Sequence, residues 1–158
     1  MTVERVPITP DGYKKLQEEL RRLKTEERPR IIAMIEHARS LGDLSENAEY
    51  ETAKDRQGFI EARIKELESK LSRADVIDPA KITNKDRVVF GAKVTLEDDE
   101  EGTVVTYQLV GPDESEPEKG LISITSPLGR ALVGKSVDEF VEVMTPAGRK
   151  EYTILKIE

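Results

Sequence analysis

Three acids, Asp43, Glu46 and Glu49, fall within the stretch Gly42-Asp43-Leu44-Ser45-Glu46-Asn47-Ala48-Glu49-Tyr50. Two chemistries suit the first pair. Asp43-x-x-Glu46 has the spacing of a capping box, in which Asp43 accepts a bond from the Glu46 amide and Glu46 reaches back. Both charges would also favour the positive end of a following helix. Alternatively, two carboxylates at an exposed turn supply part of the octahedral shell of a hard cation such as Mg²⁺. They cannot fill that shell, so waters or another molecule must complete it. Such a turn is half of a metal site, suited to entering another active site and completing a two-metal arrangement there. The two readings are compatible, because a capped carboxylate is held in place and kept ionised. Glu49, one turn further on, reads as a solvated helix residue.

Other chemistries find little support. His37 is the one histidine and lies near the coiled-coil tip, where no Ser-His-Asp set is usefully placed, and it has no second ligand at metal spacing. Cysteine is absent, which removes disulfides and thiolate metal sites. No Gly-rich phosphate loop is present. Leu44 has little to bury against at an exposed turn and suits contact with a partner. Tyr50 either packs across the turn on Leu41 or joins that contact. Arg39, Lys54 and Arg56 flank the turn. They are either a solvated face or a small basic patch that guides a nucleic-acid backbone.

Two long helical patterns position the turn. Thr9-Pro10 reads as N-cap and first helical residue. Apolar residues follow at Tyr13, Leu16, Leu20 and Leu23, then at Ile31, Met34 or Ile35, Ala38 and Leu41. Pro29 interrupts this stripe and predicts a kink. Leu41-Gly42 reads as a helix end. The second stripe is Ala53, Gln57, Ile60, Ile64, Leu67, Leu71 and Ala74, a coiled-coil seam of alternating steps of four and three. The short linker makes the two helices antiparallel, with Leu23 opposite Ile64. Helices of roughly 30 residues make a rod about 45–50 Å long. Beyond Asp78-Pro79 the period changes to two. Strands are expected at Val94–Leu96, Val105–Leu109, Ile122–Ile124, Phe140–Thr145 and Arg149–Ile157. Ser126-Pro127 caps a short helix over Leu128–Val133, and Thr145-Pro146-Ala147-Gly148 makes a tight turn. The expected class is α+β: an antiparallel coiled-coil hairpin over residues 1–76, a linker over 77–87 and a small antiparallel sheet with one short helix over 88–158.

The chain has 158 residues and a net charge of −7, with more than a third of its residues charged. The acidic balance argues against broad nucleic-acid binding, which needs basic surface. Met1–Ile8 carries no apolar signal stretch, and no apolar run is long enough to span a bilayer, so a cytoplasmic protein without membrane contact is expected.

The acidic turn resembles the tip motif of the bacterial transcript cleavage factors of the Gre family. The resemblance covers nearly the whole chain. Gly12–Leu20 and Arg28–Ile32, proline included, are similar to the family's first helix. Gln57–Phe59 and Arg63–Leu67 are similar to its second. Ser126–Gly134 and Thr145–Gly148 are similar to its C-terminal domain. The resemblance implies an FKBP-like C-terminal domain that docks on the rim of the secondary channel of RNA polymerase, with Ser126 and Pro127 in the docking loop. It implies that the coiled coil enters the channel. There Asp43 and Glu46 would share the second catalytic Mg²⁺, and the polymerase would hydrolyse the 3′ end of backtracked nascent RNA. Leu44, Ser45, Asn47 and Tyr50 would meet the polymerase, and Arg39 and Lys54 the RNA. Ser45 stands where some relatives carry lysine. The factor would be a monomer and an accessory to the polymerase's nuclease activity rather than an enzyme. An acidic rod would also be steered into a positively charged channel. An inhibitory relative that blocks the same channel is the alternative, and the intact Asp43/Glu46 pair argues against it.

Overall fold

The computed structural model describes residues 4–43, 47–81 and 86–158. They form two compact units, Lys14–Arg73 on one hand and Met1–Tyr13 with Ala74–Glu158 on the other.

The first unit is the hairpin. Helix α1 (Pro10–Arg22) enters it, a π-helical turn (Leu23–Glu27) follows, and α2 (Arg28–Ser40) completes the first leg; α3 (Ala48–Arg73) is the second. Leu16, Leu23, Ile31, Ile35 and Ala38 are buried on the first leg, and Ala53, Ile60, Ile64 and Leu67 on the second. Ile35 rather than Met34 faces the seam, and Leu41 is exposed. The break expected at Pro29 is the π turn just before it, where the Arg28 N–H donates to the Leu23 carbonyl five residues back. Two sequence features call for that turn. A proline ring clashes with the carbonyl four residues back, here that of Thr25, and the wider turn opens that spacing. The buried positions Ala53, Ile60 and Leu67 also step by seven, as do Leu16 to Leu23 and Ile31 to Ala38, but Leu23 to Ile31 is a step of eight. A π turn absorbs one extra residue, so both halves of the first leg face the same seam.

Two bidentate ion pairs tie the legs together. Arg63 donates to Glu19 at 2.6 and 2.9 Å, and Arg28 to Glu61 at 2.7 and 2.9 Å. Hydrogen bonds from Arg63 hold the Glu19 carboxyl below its usual range, and those from Arg28 do the same for Glu61. The falling partner numbers along the first leg are those of an antiparallel pair.

The second unit holds a five-stranded sheet: β3 (Lys93–Asp98), β4 (Val104–Val110), β5 (Leu121–Ser123), β6 (Phe140–Thr145) and β7 (Gly148–Ile157), in the order β5-β4-β3-β7-β6. The α+β expectation holds, with one change of direction. β5 pairs parallel to β4, while every other pairing in the sheet is antiparallel. The connection through residues 111–120 carries the chain back to Gln108, where β5 begins its parallel pairing with the last three residues of β4. Val94, Leu96, Leu109, Ile122, Val141 and Ile154 fill the core, with Leu132 of the short helix α4 (Pro127–Leu132) packed on them.

The chain divides differently from the expected boundaries at 76 and 88. Val6–Ile8 forms β1 and Ala74–Val76 forms β2, and the two pair in parallel, Val6 with Ala74 and Ile8 with Val76. Thr9 caps α1 as expected, its hydroxyl accepting the Gly12 N–H at 3.1 Å. Glu114 adds a second acceptor from the sheet side. It takes the Thr9 N–H at 2.7 Å, the Gly111 N–H at 2.9 Å and the Thr9 hydroxyl. Residues 6–13 are therefore built into the sheet-bearing unit and not into the hairpin.

Candidate functional site

The turn between the legs is built from two helix ends. At the end of α2, Leu41 N–H donates to the Ala38 carbonyl at 3.2 Å and Gly42 N–H to the Arg39 carbonyl at 3.4 Å. Ser40 Oγ covers the His37 carbonyl. Gly42 then turns the chain at a φ of 109°, in the region that favours glycine, and a Cβ there would meet nothing within 4 Å among the described residues. Asp43 follows in non-helical conformation and is exposed. Leu44, Ser45 and Glu46 lie outside the described residues.

Helix α3 is capped by Asn47. Its Oδ1 accepts the Tyr50 N–H at 3.1 Å, and its Nδ2 donates to the Ala38 carbonyl at 2.6 Å. Asn is among the best N-cap residues, because its side-chain oxygen satisfies one of the free N–H groups of the first turn. The Asp43–Glu46 capping box involves Glu46 and lies outside the described residues. Sequence reasoning missed the role of Asn47. The signal was present as Asn directly before Ala48-Glu49-Tyr50, but Asp43-x-x-Glu46 offered a competing box four residues earlier.

Tyr50 stands in the first turn of α3. It is half-buried, with the Arg39 guanidinium 6.0 Å from its ring centroid. Arg39 is thus placed on the turn by a cation–π contact while staying exposed. Lys54 is exposed and touches Gln57 at 3.3 Å. Arg39, Asp43, Asn47 and Tyr50 come together around the turn, and Lys54 lies one turn further along α3 than Tyr50. His37 borders a shallow apolar groove with Met34 and Ala48. Among the described residues no group of three His, Cys, Asp or Glu could hold a metal ion.

Ser126 and Pro127 sit in the sheet-bearing unit. Ser126 caps α4, accepting the Gly129 N–H at 3.1 Å and donating to the Ser123 carbonyl at 2.6 Å, while Pro127 is exposed at the first helical position. Gly129 is required by close approach: a Cβ there would lie 2.2 Å from the Ser123 carbonyl oxygen. The Ser126-Pro127 corner is thereby pinned to the end of β5. Among the described residues, no helix is long and apolar enough to cross a membrane.

Comparison with known proteins covers both units. Residues 6–76 match the family described as Transcription elongation factor, N-terminal, and residues 83–158 the family described as Transcription elongation factor, GreA/GreB, C-term. The chain is 53% identical over 152 residues to Transcription elongation factor GreA of Verminephrobacter eiseniae, covering 96% of each chain. It is 54% identical over 156 residues to the protein of that name in Caulobacter sp. strain K31, covering 99% of each. A crystal structure of GreA factor homolog 1 of Thermus thermophilus is 30% identical, with 98% of this chain and 99% of that one covered and a TM-score of 0.45. Matches to both family halves and near full-length identity above one half place the chain: it belongs to the GreA/GreB family of transcription elongation factors.

Proposed function

We propose that this elongation factor acts on bacterial RNA polymerase, entering its secondary channel with the helical hairpin and stimulating cleavage of the 3′ end of backtracked nascent RNA. The observation that carries the reading is the exposed acid Asp43 at the turn between the two legs of the hairpin. An acid at an exposed turn is suited to a task outside the chain.

Asp43 and Glu46 would hold a Mg²⁺ ion together with groups of the polymerase. The donor chemistry fits, since carboxylate oxygens are the ligands this hard cation takes. It fits only as a partial shell, because no third acid or histidine joins a metal-binding group among the described residues. When bound, the ion lowers the pKa of a water and steadies charge on the phosphate oxygens. The chain's own residues do the positioning. Arg39 and Lys54 offer charge to the RNA phosphates, with Arg39 aimed by Tyr50. Leu44, Ser45 and Tyr50 would meet the channel wall. Ser126 and Pro127 would seat the sheet-bearing unit on the channel rim, the corner being held in shape by the Ser123 and Gly129 bonds. The factor works as a monomer in the cytoplasm and adds no nuclease of its own; the polymerase performs the cut.

The test is Asp43→Asn on a stalled polymerase–RNA complex with Mg²⁺. The change keeps size and leaves the α3 cap alone. The maximal cleavage rate should fall roughly a hundredfold or more, the scale of losing one charge-stabilising group, while binding to polymerase persists and the inactive protein competes with the parent. Cleavage at the parent rate would remove Asp43 from the chemistry.

A further inference from the structure

The amide of Asn47 makes two bonds that belong to two different helices. Oδ1 accepts from Tyr50 in the first turn of α3, and Nδ2 donates to the carbonyl of Ala38 in the last turn of α2, at 2.6 Å. The pair of partners fixes the amide orientation, since an N–H needs the oxygen and a carbonyl needs the NH₂. The Ala38 carbonyl also takes the Leu41 N–H, so both of its acceptor directions are used. Ala38 is buried at the seam, and Asn47 is half-buried beside it. A second link crosses the same turn, from Arg39 at the end of α2 to the Tyr50 ring on α3.

We propose that Asn47 is a positioning residue for the acidic turn: one side chain fixes both stems of the turn and so sets where Asp43 is presented. The inference rests on the cleavage reading above for its consequence, but not for its geometry. A plain helix cap needs only the oxygen. A residue that also ties down the preceding helix needs the NH₂ group, and the carboxamide at this position supplies both.

Asp separates the two roles. It is a good N-cap, so Asn47→Asp keeps the bond to the Tyr50 N–H. An ionised carboxylate has no donor, so the bond to the Ala38 carbonyl is lost, and a carboxylate oxygen is set against that carbonyl instead. The first measurement is amide hydrogen exchange, which needs no polymerase. In this variant the Leu41 and Gly42 amides should exchange about tenfold faster, as expected for one lost hydrogen bond, while Tyr50 and Glu51 keep the protection of the parent. Unchanged exchange at Leu41 and Gly42 would overturn the proposal whatever the protein does to RNA.

The second measurement is cleavage over a range of factor concentration. The half-saturating concentration should stay that of the parent, and the maximal rate should fall roughly tenfold to a hundredfold, the scale for misplacing a reacting group by about an ångström. A raised half-saturating concentration with an unchanged maximal rate would instead make Asn47 a contact to the polymerase and overturn the positioning role. No cleavage by the parent protein would remove the functional reading, and the exchange result would still decide whether the tie exists.

Discussion

Replacing Gly111 with alanine should damage the sheet-bearing unit although alanine is an ordinary residue for the local backbone, which is not in the left-handed region. The obstacle is space. A Cβ at Gly111 would lie 1.8 Å from the Pro7 carbonyl oxygen and 2.9 Å from its carbon, both backbone atoms, and 3.2 Å from Glu114 Oε2. Ordinary contact begins near 3.4 Å, so β1 must retreat by about 1.6 Å. Pro7 is the middle residue of β1, and Thr9, two residues on, donates its N–H to Glu114 at 2.7 Å. A retreat of that size carries the bond beyond hydrogen-bonding distance. Overpacking costs about 1–3 kcal/mol, and a lost bond to a charged group about 1.5–3 kcal/mol. The expected loss is therefore about 2.5–6 kcal/mol, a large part of an ordinary domain's stability of roughly 5–15 kcal/mol. Urea unfolding followed by tyrosine fluorescence, with hydrogen exchange at Leu109 and Ile154 reporting the sheet alone, measures it. Gly12→Ala is the internal control. Its Cβ would meet Glu114 Oε1 at 2.1 Å, but that atom ends a flexible side chain, so the carboxylate can swing away. The loss there should be smaller, about 1–3 kcal/mol for the displaced bond. Adding Glu114→Ala to Gly111→Ala should cost less than the sum of the two, because both break the same attachment. A Gly111→Ala protein within about 0.5 kcal/mol of the parent, the range of neutral surface changes, would refute the close approach of β1 to residue 111.

Two further outcomes follow from the ion pairs and from α4. Glu19 and Glu61 have carboxyls held below the usual range by bonds from Arg63 and Arg28, so their contribution is present above the ordinary glutamate value and fades as pH falls through the lowered one. Glu19→Gln should cost about 1 kcal/mol or less at neutral pH, since the pair is partly exposed, and the difference should vanish in acid when helix content is followed by circular dichroism; a gap that persists in acid would mean that packing rather than charge is lost. Gly129→Ala should lift α4 off the Ser123 carbonyl, destabilise the sheet-bearing unit by roughly 1–3 kcal/mol and weaken polymerase binding measured by competition, while an unaltered affinity would take the Ser126-Pro127 corner out of the docking surface.

What could be read from the sequence was what repeats. The seam positions Leu16, Leu23, Ile31 and Ile60–Leu67 were visible because a helix repeats its buried face every few residues, and β6 was visible because Val141 and Val143 alternate with exposed neighbours. What could not be read was what occurs once. The three-residue strands β1 and β2 are too short to show alternation, and they gain their pairing only when the chain returns across more than sixty residues to bring Val6 to Ala74. The parallel placement of β5 depends on the path of residues 111–120, which no local period encodes. The step of eight from Leu23 to Ile31 was in the sequence, but Pro29 drew attention to a kink instead of to an added residue. The same contrast governs the site. Asp43 could be singled out by charge and spacing, whereas Asn47 and Glu114 act through hydrogen bonds to backbone groups far away in sequence, which have no side-chain signature. The residues that could touch a partner were therefore easier to name than the residues that aim them. The pairing of Asn47 with Ala38 also accounts for why an acid-bearing turn needs an uncharged cap. An aspartate would start α3 equally well, but it would add a negative charge beside Asp43 and lose the donor that holds the end of α2 in place.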